Sequence, residues 1–288
     1  MNGRNGIVSW NITSRCNYSC SYCAQGRRHE SVPAPGAVEK IADFIAGLGS
    51  GWEVKISGGE PFCERGFIPA VERLSAAGLQ VSAVTNFSSS RRTLGRFIAA
   101  AGNSLRTLSV SLHLEYTAPD RFLDRCLWLK SAMPDLPRAR MVVNSVLPPG
   151  RVLEILRLAH RFRDRGLFFY PQLIRRKGRP VEYNPEETML INNFIEEAGS
   201  ERALNSAPSL TGSLCRAGMD YFIITEAGEC FSCYPGKRDG SGYLGGIAAG
   251  GTGGQAVKLR EKALPCPYET CPCSVPRNRG IVDTARNG

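Results

Sequence analysis

No stretch of this 288-residue chain approaches the ~18 consecutive apolar residues of a membrane-spanning helix, so a membrane-spanning reading is disfavoured. Met1 to Trp10 has neither a long apolar core nor a small-residue cleavage site, which argues against secretion and for the cytoplasm. A long basic tail is also missing. The net charge is +10, but the basic residues come in short groups with few interleaved aromatics: Arg27-Arg28, Arg91-Arg92, Arg161, Arg163 and Arg165, and Arg175-Arg176-Lys177-Gly178-Arg179. They read as solvated surface rather than as a nucleic-acid track. The glycine-rich run from Ala249 to Gly254 lacks the Gly-Lys-Ser/Thr ending of a phosphate-binding loop and is taken as a flexible connection. Apolar material is not scarce. At 42% hydrophobic and 22% charged the chain has enough to bury for a packed globule.

Cysteine, by contrast, is plentiful. Eleven is a high and odd number for a chain without a secretory signal, and clustered thiols in a reducing compartment point to metal. Cys16, Cys20 and Cys23 lie near the start, and Cys215, Cys230, Cys233, Cys266, Cys271 and Cys273 in the last quarter; Cys63 and Cys126 stand alone.

From residue 6 to about 200, short β-branched or apolar runs alternate with longer amphipathic ones, the pattern of βα units around a parallel sheet. Strands are expected at 7–12, 52–56, 79–84, 107–112, 140–146 and 167–173. Apolar residues three and four apart give helices at 36–48, 66–77, 91–101, 118–130, 150–164 and 186–198. Ser88-Ser89-Ser90 and Asn184-Pro185 are expected starts of the third and sixth helices. Six units make a partial (β/α)6 barrel, too few for the usual eight. Beyond residue 205 the texture changes to Ser, Pro, Gly and Cys with short β-like runs such as Tyr221 to Thr225. Residues 1–205 are therefore expected to form the barrel and 206–288 a small cysteine-rich module.

The first three thiols follow the first expected strand, on the barrel face where active sites are built. Three thiolates around one centre leave a position open for an exchangeable ligand. A structural zinc ion borrowing a fourth ligand is the alternative. Cys16-x3-Cys20-x2-Cys23, with the aromatic Tyr22 before its last cysteine, resembles the signature of the radical S-adenosylmethionine (SAM) superfamily. Ser57-Gly58-Gly59-Glu60-Pro61, directly after the second strand, resembles the Gly-Gly-Glu-Pro motif of the same family. The resemblance implies a [4Fe–4S] cluster on Cys16, Cys20 and Cys23, with SAM on its open iron. It puts the backbone of Gly58, Gly59 and Glu60 beside the methionyl amine and that of Tyr22 near the adenine. It further implies reductive cleavage of SAM to a 5′-deoxyadenosyl radical that abstracts hydrogen from substrate, fed by a one-electron donor of the flavodoxin or ferredoxin type. The sheet-end residues Asn86 and Ser111 are candidates for ribose or substrate contacts, and His113 is as readily a structural histidine. Cys63 is a candidate hydrogen-atom donor to a substrate radical, against the plainer reading of a small buried thiol; Cys126, on an apolar helix face, should be core.

Cys215-Arg-Ala-Gly, then Gly228 and Cys233, then Tyr243-Leu-Gly-Gly, resembles the opening of the SPASM/Twitch extension of that family. This implies a second, auxiliary [4Fe–4S] cluster on Cys215 and Cys233 with Cys266, Cys271 and Cys273 as candidates for the remaining ligands. Cys230 is then spare. A zinc knuckle is the competing reading, and a zinc-bound module that recruits RNA is the non-enzymatic one. Only fifteen residues precede Cys16, leaving no room for a leader-recognition domain. The expectation thus leans to a small polar metabolite of aminocyclitol, sugar or nucleotide type, oxidised or epimerised, with peptide modification as the alternative. An anionic substrate group would suit Arg175 to Arg179 at the barrel mouth.

Overall fold

The computed structural model describes residues 5–23, 32–133, 139–176, 179–198, 209–247, 256–269, 271, 275–276 and 279–282. Six βα units lead. Strands β1 (Gly6–Thr13), β2 (Trp52–Gly58), β3 (Gln80–Thr85), β4 (Leu105–Ser111), β5 (Arg140–Leu147) and β6 (Phe168–Leu173) alternate with helices α1 (Ala37–Ala46), α2 (Phe67–Ala76), α3 (Arg91–Ala101), α4 (Pro119–Ser131), α5 (Val152–Asp164) and α6 (Pro185–Glu197). Every expected strand and helix is present within about two residues of its expected bounds, the usual uncertainty of element ends. Ser90 caps α3 by accepting from Thr93 N, and Asn184 caps α6 by accepting from Glu187 N, as the Ser and Asn-Pro signals implied.

Strands β1 to β6 are parallel neighbours in sequence order. Alternation along each strand sorts the side chains between two environments. On β1, Val8, Trp10 and Ile12 are fully buried against the helices, with Ile41 and Ile45 of α1 in the same core. Ser9, Asn11 and Thr13, on the other side, face the lumen of the open barrel. Burying side chains of this size is worth ~1.5–3 kcal/mol each, which is why the helix-facing positions of β1 and, on β2, Trp52, Val54 and Ile56 are apolar.

The remaining strands are short: β7 (Arg175–Arg176), β8 (Arg179–Pro180), β9 (Leu214–Cys215), β10 (Tyr221–Ile224), β11 (Glu229–Phe231), β12 (Tyr243–Gly246) and β13 (Leu264–Pro265), with helix α7 (Tyr234–Asp239). The barrel sheet continues into this region. β10 pairs in parallel with β1, from Ile7 with Tyr221 to Trp10 with Ile224, and the antiparallel β11 and β12 extend it to nine strands. The expected boundary at 205/206 lies outside the described residues. Among the described residues no helix is long and apolar enough to cross a membrane.

Candidate active site

The cysteine loop leaves the C-terminal end of β1 and is held from three sides. The first hold is β2. Gly59 N donates to Thr13 O at 2.8 Å and Glu60 N to Arg15 O at 2.8 Å. A Cβ at Gly58 or Gly59 would stand 2.2 Å from the Thr13 or Arg15 carbonyl oxygen. Gly58 also has φ 145°, which side-chain-bearing residues rarely adopt. The bare Cα atoms are thus used to admit the cysteine loop, where the sequence had suggested approach of a ligand. Glu60 locks this junction. Its buried carboxylate accepts from Thr85 Oγ1 (2.8 Å), Asn86 N (2.6 Å) and Phe62 N (3.2 Å), tying the end of β2 to the end of β3. Burial pushes its carboxyl up to about 7 despite those donors.

The second hold is the loop after β3. Asn86 Nδ2 donates to Asn17 Oδ1 at 2.8 Å and lies 3.8 Å from Cys16 Sγ, and Asn17 Nδ2 reaches Ser88 Oγ at 2.9 Å. Asn86, expected to touch ribose or substrate, therefore directs its amide to the cysteine loop. The adjoining Phe87, buried with φ 61°, is the one non-glycine residue with positive φ among the described residues, backbone strain of the kind that collects at functional sites.

The third hold is the loop after β4, and the sequence reading missed most of it. Tyr116 stacks on Tyr18 at 4.0 Å and takes the Ser19 N–H on its hydroxyl at 2.6 Å. Glu115 accepts from Ser21 N at 3.0 Å, and Thr117 lies within hydrogen-bond reach of Tyr18. His113 Nδ1 lies 3.0 Å from Tyr22 Oη and 3.5 Å from Cys20 Sγ. Burial lowers His113 to about 4, so it is neutral near pH 7, and burial holds the Tyr22 phenol protonated. The phenol, Nδ1 and the Cys20 sulfur thus form one hydrogen-bonded cluster of uncharged groups. Of this loop the sequence had pointed only to His113; the partners of Glu115, Tyr116 and Thr117 lie more than ninety residues away in sequence.

The three thiols are electrostatic neighbours: the charges of Cys16 and Cys23 both act on Cys20, whose thiol is pushed up to about 11, first by burial and then by Glu115. Cys16 accepts from Tyr18 N at 3.4 Å. Two half-buried thiols, Cys16 and Cys20, beside the exposed Cys23, repelling when ionised, suit a cationic metal body that fixes them as thiolates. This donor set fits an iron–sulfur cluster. Cys63, in the short 3₁₀ turn Pro61–Cys63, sits close enough to Cys16 to feel its charge, and burial raises its thiol. Tyr22, with Ser145, Val146 and Arg151 across from it, lines a cavity of about 80 Å³. Ser111 ends β4 level with Asn144 of β5, on the lumen side.

In the last quarter, burial raises the thiols of Cys215 on β9 and Cys233 at the start of α7, and Cys266 next to β13 is near enough for its charge to raise both further. Cys271 packs against Cys266 in the same small apolar cluster. Cys233 caps α7, its sulfur 3.4 Å from Gly236 N, a donor that offsets part of the effect of burial on the thiol. Cys230 points away from this set into the main core, and Cys126 is likewise fully buried there. Cys273 lies outside the described residues. Among the described residues neither these thiols nor Cys16, Cys20 and Cys23 are drawn together into a group of three or more His, Cys, Asp or Glu already arranged around a single metal ion. In the arginine run, Arg175 and Arg176 pair with Arg179 and Pro180 in a hairpin, and Arg179 is ion-paired with Glu269 at 2.9 Å; Lys177 and Gly178 are outside the described residues.

A thiol triad at the end of β1, docked on a Gly-Gly-Glu-Pro turn at the end of β2 in a six-unit partial barrel, defines a class. Residues 10–167 match the Radical SAM superfamily, and the chain belongs to it. Among curated relatives, a GTP 3′,8-cyclase of Streptomyces coelicolor is 32% identical over 151 residues, 48% of this chain and 44% of that protein. An S-adenosylmethionine-dependent nucleotide dehydratase of Psychrobacter lutiphocae is 28% identical over 121 residues, 37% of this chain and 40% of that protein. The aligned regions thus span less than half the length of these relatives. SuiB of Streptococcus suis, solved with bound S-adenosylmethionine, superposes with a TM-score of 0.56 at 14% identity over 89% of this chain and 63% of that one; the likeness is one of fold.

Proposed function

We propose that the chain reductively cleaves S-adenosylmethionine and abstracts hydrogen from a small polar metabolite of nucleotide, sugar or aminocyclitol type, in an oxidation or epimerisation. The observation that carries this is the docking of the Cys16–Cys23 loop on Gly59 and Glu60, which brings the two motif segments into one site. When bound on Cys16, Cys20 and Cys23, the [4Fe–4S] cluster with S-adenosylmethionine supplies the 5′-deoxyadenosyl radical; the chain's own side chains position and shield. The loops after β2, β3 and β4 fix the thiols from three sides, and the cavity beside Tyr22 is a seat for the adenine.

The lumen below is lined with groups suited to a polar substrate. Asn11 Oδ1 accepts from Ser57 Oγ at 3.1 Å and Tyr234 Oη at 3.2 Å, and Gln172 Nε2 donates to Asn144 Oδ1 at 3.2 Å. The nucleotide relatives support the same substrate class. Cys215, Cys233, Cys266 and Cys271 hold an auxiliary [4Fe–4S] cluster in this reading, with Cys273 the alternative fourth ligand and Cys230 not a ligand.

The test is iron content and 5′-deoxyadenosine formation on protein reconstituted without oxygen and reduced with dithionite. About eight irons per chain are expected, falling to about four when Cys16, Cys20 and Cys23 are replaced by alanine. Zinc in place of iron, or no 5′-deoxyadenosine, would overturn the proposal. With substrate in hand, loss of two hydrogens marks an oxidation and unchanged mass an epimerisation.

A further inference from the structure

Below the cysteine loop, the N-terminal half of the lumen opens into a cavity of about 870 Å³. Lys55, Ser82, Thr107 and Arg140 of its wall belong to one register row, which Ser9 of β1 continues beyond the cavity. Ser9 pairs with Lys55, Lys55 with Ser82, Ser82 with Thr107 and Thr107 with Arg140, so one lumen-facing residue from each of five adjacent strands stands at the same level. Small hydroxyl side chains make up most of the row, and that keeps the centre open where larger residues would fill it.

The charge of this cavity is unbalanced. Lys55, Arg106, Arg140 and Arg279 line it against the single carboxylate of Glu53. That carboxylate is already saturated: Arg279 Nη2 bonds both of its oxygens at 2.9 and 2.8 Å, Ser82 donates at 2.7 Å, and Arg106 Nε stands at 3.4 Å. Lys55 and Arg140 have no hydrogen-bond or ion-pair partner among the described residues, and neither do the hydroxyls of Thr107 and Ser109. A half-buried lysine, an arginine exposed at the rim and two hydroxyl donors, all lining one cavity without an acceptor, form a receptor for anionic oxygen. The arginine run at the barrel mouth is less suited, since Arg179 is paired with Glu269.

We infer that the lower lumen holds a phosphoryl group of the substrate, gripped by Lys55 and Arg140 with the hydroxyls of Thr107 and Ser109. This rests on the proposed function and sharpens it: the substrate is a phosphorylated small molecule whose anionic end lies down the lumen. Lys55 is three residues, ~10 Å of strand, below Gly58. A molecule of nucleotide or sugar-phosphate length anchored there extends its other end to the cysteine loop. An excess of three positive charges in the wall favours a polyanion over a single carboxylate.

Inorganic pyrophosphate is the probe, titrated calorimetrically into the reconstituted protein. Lys55→Gln and Arg140→Gln are each expected to weaken it roughly ten- to a hundredfold, the range for losing a charge-assisted contact, while Lys55→Arg retains most of the affinity. Arg157→Gln, on the outer face of α5, should leave it unchanged. Absence of pyrophosphate binding, equal weakening in Arg157→Gln, or loss only in an Arg175→Gln/Arg176→Gln double variant would overturn the inference. The two readings fail separately. Wild-type protein that makes 5′-deoxyadenosine, but whose pyrophosphate affinity neither lumen substitution moves, rejects the pocket and keeps the reaction. Wild-type protein that binds pyrophosphate through Lys55 and makes no 5′-deoxyadenosine keeps the pocket and rejects the reaction.

Discussion

Replacing Gly59 by alanine tests the central junction of the site. The added Cβ would stand 2.2 Å from the Arg15 carbonyl oxygen and 2.6 Å from that of Ser14, both backbone atoms that no rotamer change moves aside. Relief to ordinary contact requires the cysteine loop to retreat by about 1 Å. That retreat breaks or stretches Gly59 N to Thr13 O and Glu60 N to Arg15 O, at ~0.5–1.5 kcal/mol each, so the loss of stability is about 1–3 kcal/mol. For a domain of this size it corresponds to a fall in Tm of roughly 2–12 °C. The functional loss should be larger, because a 1 Å misplacement of reacting groups costs on the order of a hundredfold in rate. Thermal unfolding, iron per chain and the rate of 5′-deoxyadenosine formation are to be measured together. Gly95→Ala is the control. Its Cβ meets nothing within 4 Å and lies inside α3, so it should be neutral or stabilising by up to ~1 kcal/mol. Gly59→Ala with wild-type Tm, iron and rate would refute the view that the glycines exist to admit the loop.

Glu60 gives a pH signature. Its carboxyl is raised from 4.5 to about 7, so the folded protein holds a proton that the unfolded chain has released. The contribution is fully present below about 4.5 and is lost as pH rises through about 7, and its size is about 3 kcal/mol. Tm should therefore decline between about pH 5 and about pH 8 in the wild type, and Glu60→Gln should flatten that slope; an unchanged slope counts against the assignment. Tyr116→Ala removes the stack on Tyr18 and the bond from Ser19 N, and should lower iron retention during anaerobic gel filtration with little change in Tm. Cys230→Ser should keep full iron, whereas Cys233→Ser should lose about four irons per chain; the reverse pattern would exchange their roles.

Much of this was legible because the pattern is local. Each βα unit declares itself by switching from period two to period 3.6 within about thirty residues, and the caps at Ser90 and Asn184 sit where short polar side chains precede apolar periodicity. The two family motifs lie directly after β1 and β2, so their meeting follows from parallel pairing of those strands. What was hidden is contact between distant residues that carry no pattern of their own. Tyr116 on Tyr18, Asn17 on Asn86 and Arg279 on Glu53 join segments separated by 98, 69 and 226 positions. Nothing in residue type marks them as partners. The lumen row was hidden for a related reason: Ser9, Lys55, Ser82, Thr107 and Arg140 become neighbours only once strand register is known. In the last quarter the spacing of the thiols did not reveal that Cys230 faces the core, because that depends on which side of β11 is turned to the barrel.

The pairing of β1 with β10 has a consequence for how the chain is made. Strand β1 meets β2 after about forty residues of synthesis, but its other edge must wait for residues 221–224. At ribosomal speeds of ~5–20 residues per second that interval is roughly eight to thirty seconds. Through it the strand bearing the cysteine loop remains a sheet edge, with unpaired backbone groups open to any other strand. The nascent chain thus has its first three thiols in place well before their supporting strand is flanked on both sides, and chains stopped short of β10 should aggregate through that edge.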